Sequence, residues 1–225
     1  MKNFKTYSLA LALTALFWIG KANAQQEQMY SHYDYNSLAL NPAYAGSKQT
    51  LVANSLARMQ WLNLPGAPRY YNVGVHSPIV GDFGGGLNLQ TGSLGKFKTA
   101  NPMSETQIAL SLAWNKQITK DLRLAVGLRG GLFNYNINLS QLGRDVDDDV
   151  AFNNNDMNIL APMTGFGVYL YSEKFFAGVS APRMVFVGDN PVNNVDISYA
   201  TNTQFYAFAG YVHEVSSDLK IKPTT

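Results

Sequence analysis

Glu105-Thr106-Gln107-Ile108-Ala109-Leu110-Ser111-Leu112-Ala113-Trp114-Asn115-Lys116-Gln117-Ile118 alternates along its whole length. Thr106, Ile108, Leu110, Leu112 and Trp114 share one face, and Glu105, Gln107, Ser111, Asn115 and Gln117 share the other. That is the period of a strand whose two faces meet different surroundings. The stretch that follows repeats it, with Leu122, Leu124, Val126, Leu128 and Leu132 on one side and Arg123, Ala125, Gly127, Arg129 and Gly131 on the other. A face carrying two arginines and two glycines is a poor soluble core. It suits the polar interior of a barrel whose leucine face meets lipid.

Weaker alternation runs through Leu51 to Trp61, Tyr70 to His76, Gly86 to Thr91, Thr164 to Tyr171, Phe175 to Ser180 and Gln204 to Glu214, about eight strands in all. Thr119-Lys120-Asp121-Leu122-Arg123-Leu124 is echoed by Ser216-Ser217-Asp218-Leu219-Lys220-Ile221, and more loosely by Tyr171-Ser172-Glu173-Lys174-Phe175-Phe176. Each sets polar, turn-favouring residues between two strands, as a tight hairpin requires. The longer polar stretches Gly92 to Ser104, Gln141 to Pro162 and Gly188 to Thr203 suit outward loops, so short and long connections alternate. The expected fold is all-β, an antiparallel up-and-down barrel of the outer-membrane type. The strand launched at Leu219 has no evident partner before Thr225, so the barrel is expected to be incomplete at its C-terminal side.

The first 24 residues have the form of an export signal. Lys2 and Lys5 give the positive start, Leu9 to Ile19 the apolar stretch and Ala22-Asn23-Ala24 the small-residue cleavage site. The apolar stretch is shorter than the roughly 20 residues a spanning helix needs. Residues 25–225 then form a single barrel domain. Removing Lys2, Lys5 and Lys21 leaves 14 basic residues against 15 acidic ones, which gives nucleic-acid binding no electrostatic support. The absence of cysteine in all 225 residues argues against a disulfide scaffold and fits a bacterial envelope protein. A chain without spanning helices can cross a membrane only as strands.

Downstream of the signal stand Gln28-Met29-Tyr30-Ser31-His32-Tyr33-Asp34-Tyr35-Asn36 and Asn41-Pro42-Ala43-Tyr44-Ala45-Gly46-Ser47. Arg58-Met59-Gln60-Trp61, Pro65-Gly66-Ala67-Pro68 and His76-Ser77-Pro78 follow in order. This series resembles the opening of PorP/SprF proteins, with its Asn-Pro-Ala-Tyr-Ala-Gly, Arg-x-Gln-Trp and Gly-Ala-Pro elements. Phe175-Phe176-Ala177-Gly178-Val179-Ser180 and Ala209-Gly210-Tyr211 through Lys222-Pro223 are similar to later hairpins of that family. The resemblance implies an outer-membrane component of type IX secretion, which also serves adhesin delivery in gliding bacteria. Its implied partners are other secretion components, including periplasmic ring proteins, together with exported cargo or adhesins. It carries over no catalytic residue and no cofactor. Read physically, Pro42 bars Asn41 from helical geometry and Gly46 permits a left-handed turn. Tyr30, Tyr33, Tyr35 and Tyr44 form an aromatic cluster suited to a membrane interface, or to a soluble core beside a first strand.

Other chemistry is thinly supported. Asp145, Asp147, Asp149, Asn153 and Asp156 fall at positions 1, 3, 5, 9 and 12 of a calcium-loop count, but Val150 occupies the position that needs glycine, so a solvated outer loop is the better reading. His32, His76 and His213 lack metal-ligand spacing. Gly84-Gly85-Gly86 lacks the Lys-Ser/Thr ending of a phosphate loop and reads as a turn opening a strand. Asn138-Leu139-Ser140 matches a glycosylation sequon by letters alone. The expected function is a non-enzymatic secretion component. Two other classes stay open: a porin in which Arg123 and Arg129 would set selectivity, and a soluble exported β-sandwich that binds a partner.

Overall fold

In the computed structural model, residues 36–95, 102–138, 156–186, 202–214, 220–221 and 223–224 are described. The export signal, the tyrosines at 30, 33 and 35, and Asp145, Asp147 and Asp149 of the acidic run lie outside them. Eight antiparallel strands follow one another in the sheet in chain order. They are β1 (Val52–Met59), β2 (Arg69–Val80), β3 (Phe83–Leu94), β4 (Met103–Gln117), β5 (Arg123–Ile137), β6 (Met157–Tyr171), β7 (Phe175–Val185) and β8 (Tyr206–Tyr211). The result is an open half-barrel, and no helix among the described residues is long and apolar enough to cross a membrane.

Register turns the sequence alternation into two surfaces. Across β4 and β5, Leu110 faces Gly130, Leu112 faces Leu128 and Trp114 faces Val126 on the outside, while Ser111 faces Arg129 and Ala113 faces Gly127 on the inside. Leu110, Leu128 and Leu160 are each 66% exposed, far too much apolar surface for water and the expected dress of a lipid face. At 15 residues each, β4, β5 and β6 exceed the roughly 9–11 needed by a tilted membrane strand. Near the short turns, outward Phe83 sits opposite Trp114 and outward Phe175 opposite Tyr211, an aromatic rim of the kind that marks a membrane boundary.

The β4–β5 and β6–β7 turns are built alike. Thr119 Oγ1 accepts from Leu122 N at 3.1 Å, and Ser172 Oγ accepts from Phe175 N at 3.0 Å. Each hydroxyl thus closes its turn onto the residue three positions later, which places the second copy one residue out of step with its sequence alignment. The third copy lies largely outside the described residues, but His213–Glu214 (β9) and Lys220–Ile221 (β10) pair antiparallel around it. Thr224 also bridges Gly210 of β8, so the strand launched at Leu219 does find a partner, contrary to expectation.

Several strands outrun their sequence limits. β6 begins at Met157, inside the stretch expected as an outer loop; β2 continues through Pro78 to Val80; and Gly84-Gly85-Gly86 lies within β3, the turn being Gly81-Asp82. The register shifts between Pro78 and Val80, which lets a proline sit inside a strand without leaving a ladder partner stranded. The inner surface holds an apolar layer toward the long connections, built on Phe133, Ile137, Met157 and Met163. Toward the short turns it holds two smaller clusters centred on the segment that precedes β1.

Candidate functional site

The segment Asn36 to Ser47 does not lie on the rim. It enters the concavity as one helical turn, α1 (Ser37–Leu40), followed by a 3₁₀ turn over Pro42–Tyr44, and every residue of it except Ser37 and Tyr44 is buried. Asn41 is extended at φ −141°, ψ 114°, as Pro42 requires, and its Oδ1 caps the 3₁₀ turn by accepting from Ala43 N at 2.9 Å. Gly46 at φ +74° then reverses the chain. A helix this short closes a bond from Asn41 N to Ser37 O at 2.9 Å and leaves the carbonyls of Leu38, Ala39 and Leu40 without helical partners.

The strands supply them. Arg129, 4% exposed, donates from Nη2 to Leu38 O, from Nη1 to Ala39 O at 2.8 Å and from Nε to Ser111 Oγ at 3.2 Å. Ser180 Oγ donates to Leu40 O at 2.6 Å, and Asn115 Nδ2 to Ala45 O at 3.0 Å. Asn41 Nδ2 donates in turn to Val168 O at 3.0 Å, Gly46 N donates to His76 Nδ1 at 3.2 Å, and Asn54 Nδ2 donates to Asn36 Oδ1 at 2.8 Å. Six strands, β1, β2, β4, β5, β6 and β7, thus contribute a bond to one twelve-residue segment. Charge-assisted donation from a guanidinium is stronger than a neutral bond, and a fork of donors suits two adjacent carbonyls.

Glycines make the room. A Cβ at Gly127 would collide with Pro42 C and Ala43 N, one at Gly167 with the Asn41 side chain, and one at Gly84 with Ala45 O and Gly46 Cα. Close backbone approach is the reason for glycine inside these strands. Tyr44 fills the space beside them, its ring 5.3 Å from His76 and 5.4 Å from Tyr169, with Lys48 Nζ 6.0 Å above it. Tyr169 continues inward to Tyr171 and Phe208. The membrane-interface reading of Tyr44 is therefore corrected: it packs inside the concavity, because Pro42 and Gly46 fold the segment inward and not along the rim. Beside this plug, Asn72 and Asn88 exchange hydrogen bonds at 3.1 and 3.2 Å and Gln107 donates to Gln90 at 2.6 Å, so inward amides of β2, β3 and β4 pair with one another.

The plug is made of the same residues that open a known protein family, and a model of that family, described as type IX secretion system membrane protein PorP/SprF, matches residues 22–225. The chain belongs to the PorP/SprF family. Comparison with curated proteins and with solved structures returned no match.

In this PorP/SprF chain the family-motif residues fall in two places. Asn41, Pro42, Ala43, Tyr44, Ala45 and Gly46 form the plug, whereas Arg58, Gln60, Trp61, Gly66, Ala67 and Pro68 lie at the end of β1 and in the β1–β2 connection, with Gln60 N bonded to Pro68 O at 3.1 Å. The two sets are not brought together. Asp156 is exposed just before β6, and among the described residues no group of three or more His, Asp or Glu side chains could hold a metal. Of the residues that grip the plug, His76 and Ser180 fall within elements that carry the family resemblance, whereas Asn115 and Asn54 carried no sequence motif. Alternation placed Asn115 and Arg129 on the inner face, but their backbone acceptors lie 70 and about 90 residues away and left no local signal.

Proposed function

We propose that this PorP/SprF chain is a non-enzymatic, non-conducting outer-membrane component of type IX secretion that works by holding other secretion proteins in position. In this reading residues 1–24 direct export and residues 25–225 form the membrane domain. Short turns and longer connections offer docking surfaces to periplasmic ring proteins and to exported cargo, gliding adhesins included. One observation carries the non-conducting part: the inner face is occupied by the chain's own Asn36–Ser47 segment, with its carbonyls bonded to Arg129, Ser180 and Asn115. The porin alternative needs Arg129 to face permeating solute, and instead its guanidinium faces the carbonyls of Leu38 and Ala39.

The test is a paired one on native outer-membrane fractions. Detergent-extracted protein that is heat-modifiable on gels and silent in planar bilayers, and that co-purifies with secretion components, is the expected result. Stable, ion-selective conductance from the purified protein would replace this reading with the porin. Recovery as soluble protein would replace it with the β-sandwich.

A further inference from the structure

The plug leaves the β1–β2 connection unused, and that connection is unusual for a solvent loop. Trp61, Leu62 and Leu64 are 66%, 74% and 57% exposed, and no residue from Gln60 to Pro68 is charged. The backbone that holds them out is built, with Leu64 N bonded to Trp61 O at 2.8 Å, Ala67 N to Leu64 O at 3.2 Å and Gly95 N to Gly66 O at 2.7 Å, while Ala67 and Pro68 are buried. Trp61 itself takes φ +49°, a left-handed conformation that is costly for a bulky residue and that points to function where it persists. The apolar tip runs on from the outward face of the sheet, on which Met59 of β1 is 47% exposed. Opposite Met59 in register stands Arg69, exposed at the start of β2. Tryptophan with aliphatic neighbours and a flanking arginine is the composition of a membrane–water boundary.

We propose that this connection is a lipid anchor: Trp61, Leu62 and Leu64 insert at the headgroup–acyl boundary of the leaflet beside the long connections, and Arg69 meets its headgroups. The opposite boundary is marked by the Phe83, Trp114, Phe175 and Tyr211 rim, so the two anchors bracket the leucine belt. The inference rests on the membrane-barrel reading, and tryptophan fluorescence separates the two. The full-length chain carries Trp18, Trp61 and Trp114. Trp18→Phe with Trp114→Phe leaves Trp61 as the reporter, and Trp18→Phe with Trp61→Phe leaves Trp114.

Each is reconstituted in phosphatidylcholine vesicles containing lipid brominated either near the headgroup or near the chain end, with iodide as the aqueous quencher. The expected result is blue-shifted Trp61 emission, lost most with bromine near the headgroup and little affected by iodide. Iodide quenching of Trp61 without lipid quenching, or protection from both quenchers, overturns the anchor. If Trp114 is still quenched by brominated lipid, the barrel stands. If neither tryptophan meets bromine, the barrel falls as well. Should Trp114→Phe not fold, Leu62→Cys carrying an environment-sensitive dye reports the same boundary, since the chain has no other cysteine.

Discussion

Arg129→Ala tests the plug where its hydrogen bonds are densest. The substitution removes three donors and leaves the carbonyls of Leu38 and Ala39 buried with their guanidinium partner gone. Bonds to a charged group contribute about 1.5–3 kcal/mol apiece and are not additive, and stranding buried acceptors adds a penalty. A loss of about 3–5 kcal/mol in plug docking follows, and at 1.4 kcal/mol per decade the undocked fraction rises roughly 10²- to 10⁴-fold. The chain has no cysteine, so Leu40→Cys, at a site only 6% exposed, provides a unique thiol inside the plug. With labelling slow relative to opening and closing, the maleimide reaction rate at residue 40 tracks the undocked fraction and should rise by that factor in Arg129→Ala. Arg129→Lys should fall between, because one ammonium cannot span two carbonyls and Ser111 as the guanidinium fork does. Ala161→Cys, 2% exposed in the layer toward the long connections, is the control. Unchanged labelling at residue 40, or equal acceleration at 161, would refute the argument that Arg129 holds the plug and not the barrel.

Gly127→Ala places a Cβ on the main chain of Pro42 and Ala43 and should cost about 1–3 kcal/mol or more, whereas Gly130→Ala, with nothing within 4 Å, should be neutral or slightly stabilising; urea unfolding in vesicles compares them. Leu110→Arg, on the outward face at 66% exposure, should cost about 2–4 kcal/mol in a bilayer but stay within about 0.5 kcal/mol if that surface met water; the same unfolding assay distinguishes them. Asn41→Ala removes both the 3₁₀ cap and the bond to Val168 O and should weaken plug docking by about 1–2 kcal/mol, read by the thiol at residue 40.

The wall of this fold was legible and its filling was not, for a physical reason. Strand periodicity is local, so the two faces of β4 and β5 could be read from residues 105 to 132, and the observed register keeps those faces together across the pair. Strand limits were less legible where proline or glycine interrupted the pattern while pairing continued, as at Pro162 near the start of β6 and across Gly84-Gly85-Gly86, because a ladder is completed by the neighbouring strand and not by the residues' own propensity. Pro42 and Gly46 correctly indicated an extended residue followed by a left-handed turn, at φ −141° for Asn41 and +74° for Gly46. Where that turn went was decided by contacts such as Ser180 with Leu40, 140 residues apart, which no window on the sequence contains.

That separation also explains why an inner face can be mistaken for a pore. Arginine, asparagine, serine and histidine on the inside of a barrel look alike whether they face water or buried peptide groups, since both offer hydrogen bonds. What distinguishes the cases is the glycine beside them. A water-filled lumen places no steric demand on a strand, and alanine would serve there as well as glycine. A packed segment does impose that demand, and it does so here at Gly84, Gly127 and Gly167, each lying against the backbone or side chain of the Asn41 to Gly46 stretch, while outward Gly130 has open space. The pairing of inward glycine with inward donor, Gly127 with Arg129 on β5 and Gly178 with Ser180 on β7, is thus the signature of a socket. In such a socket the donors are already committed to holding a polypeptide segment, which favours a role in assembly over one in conduction.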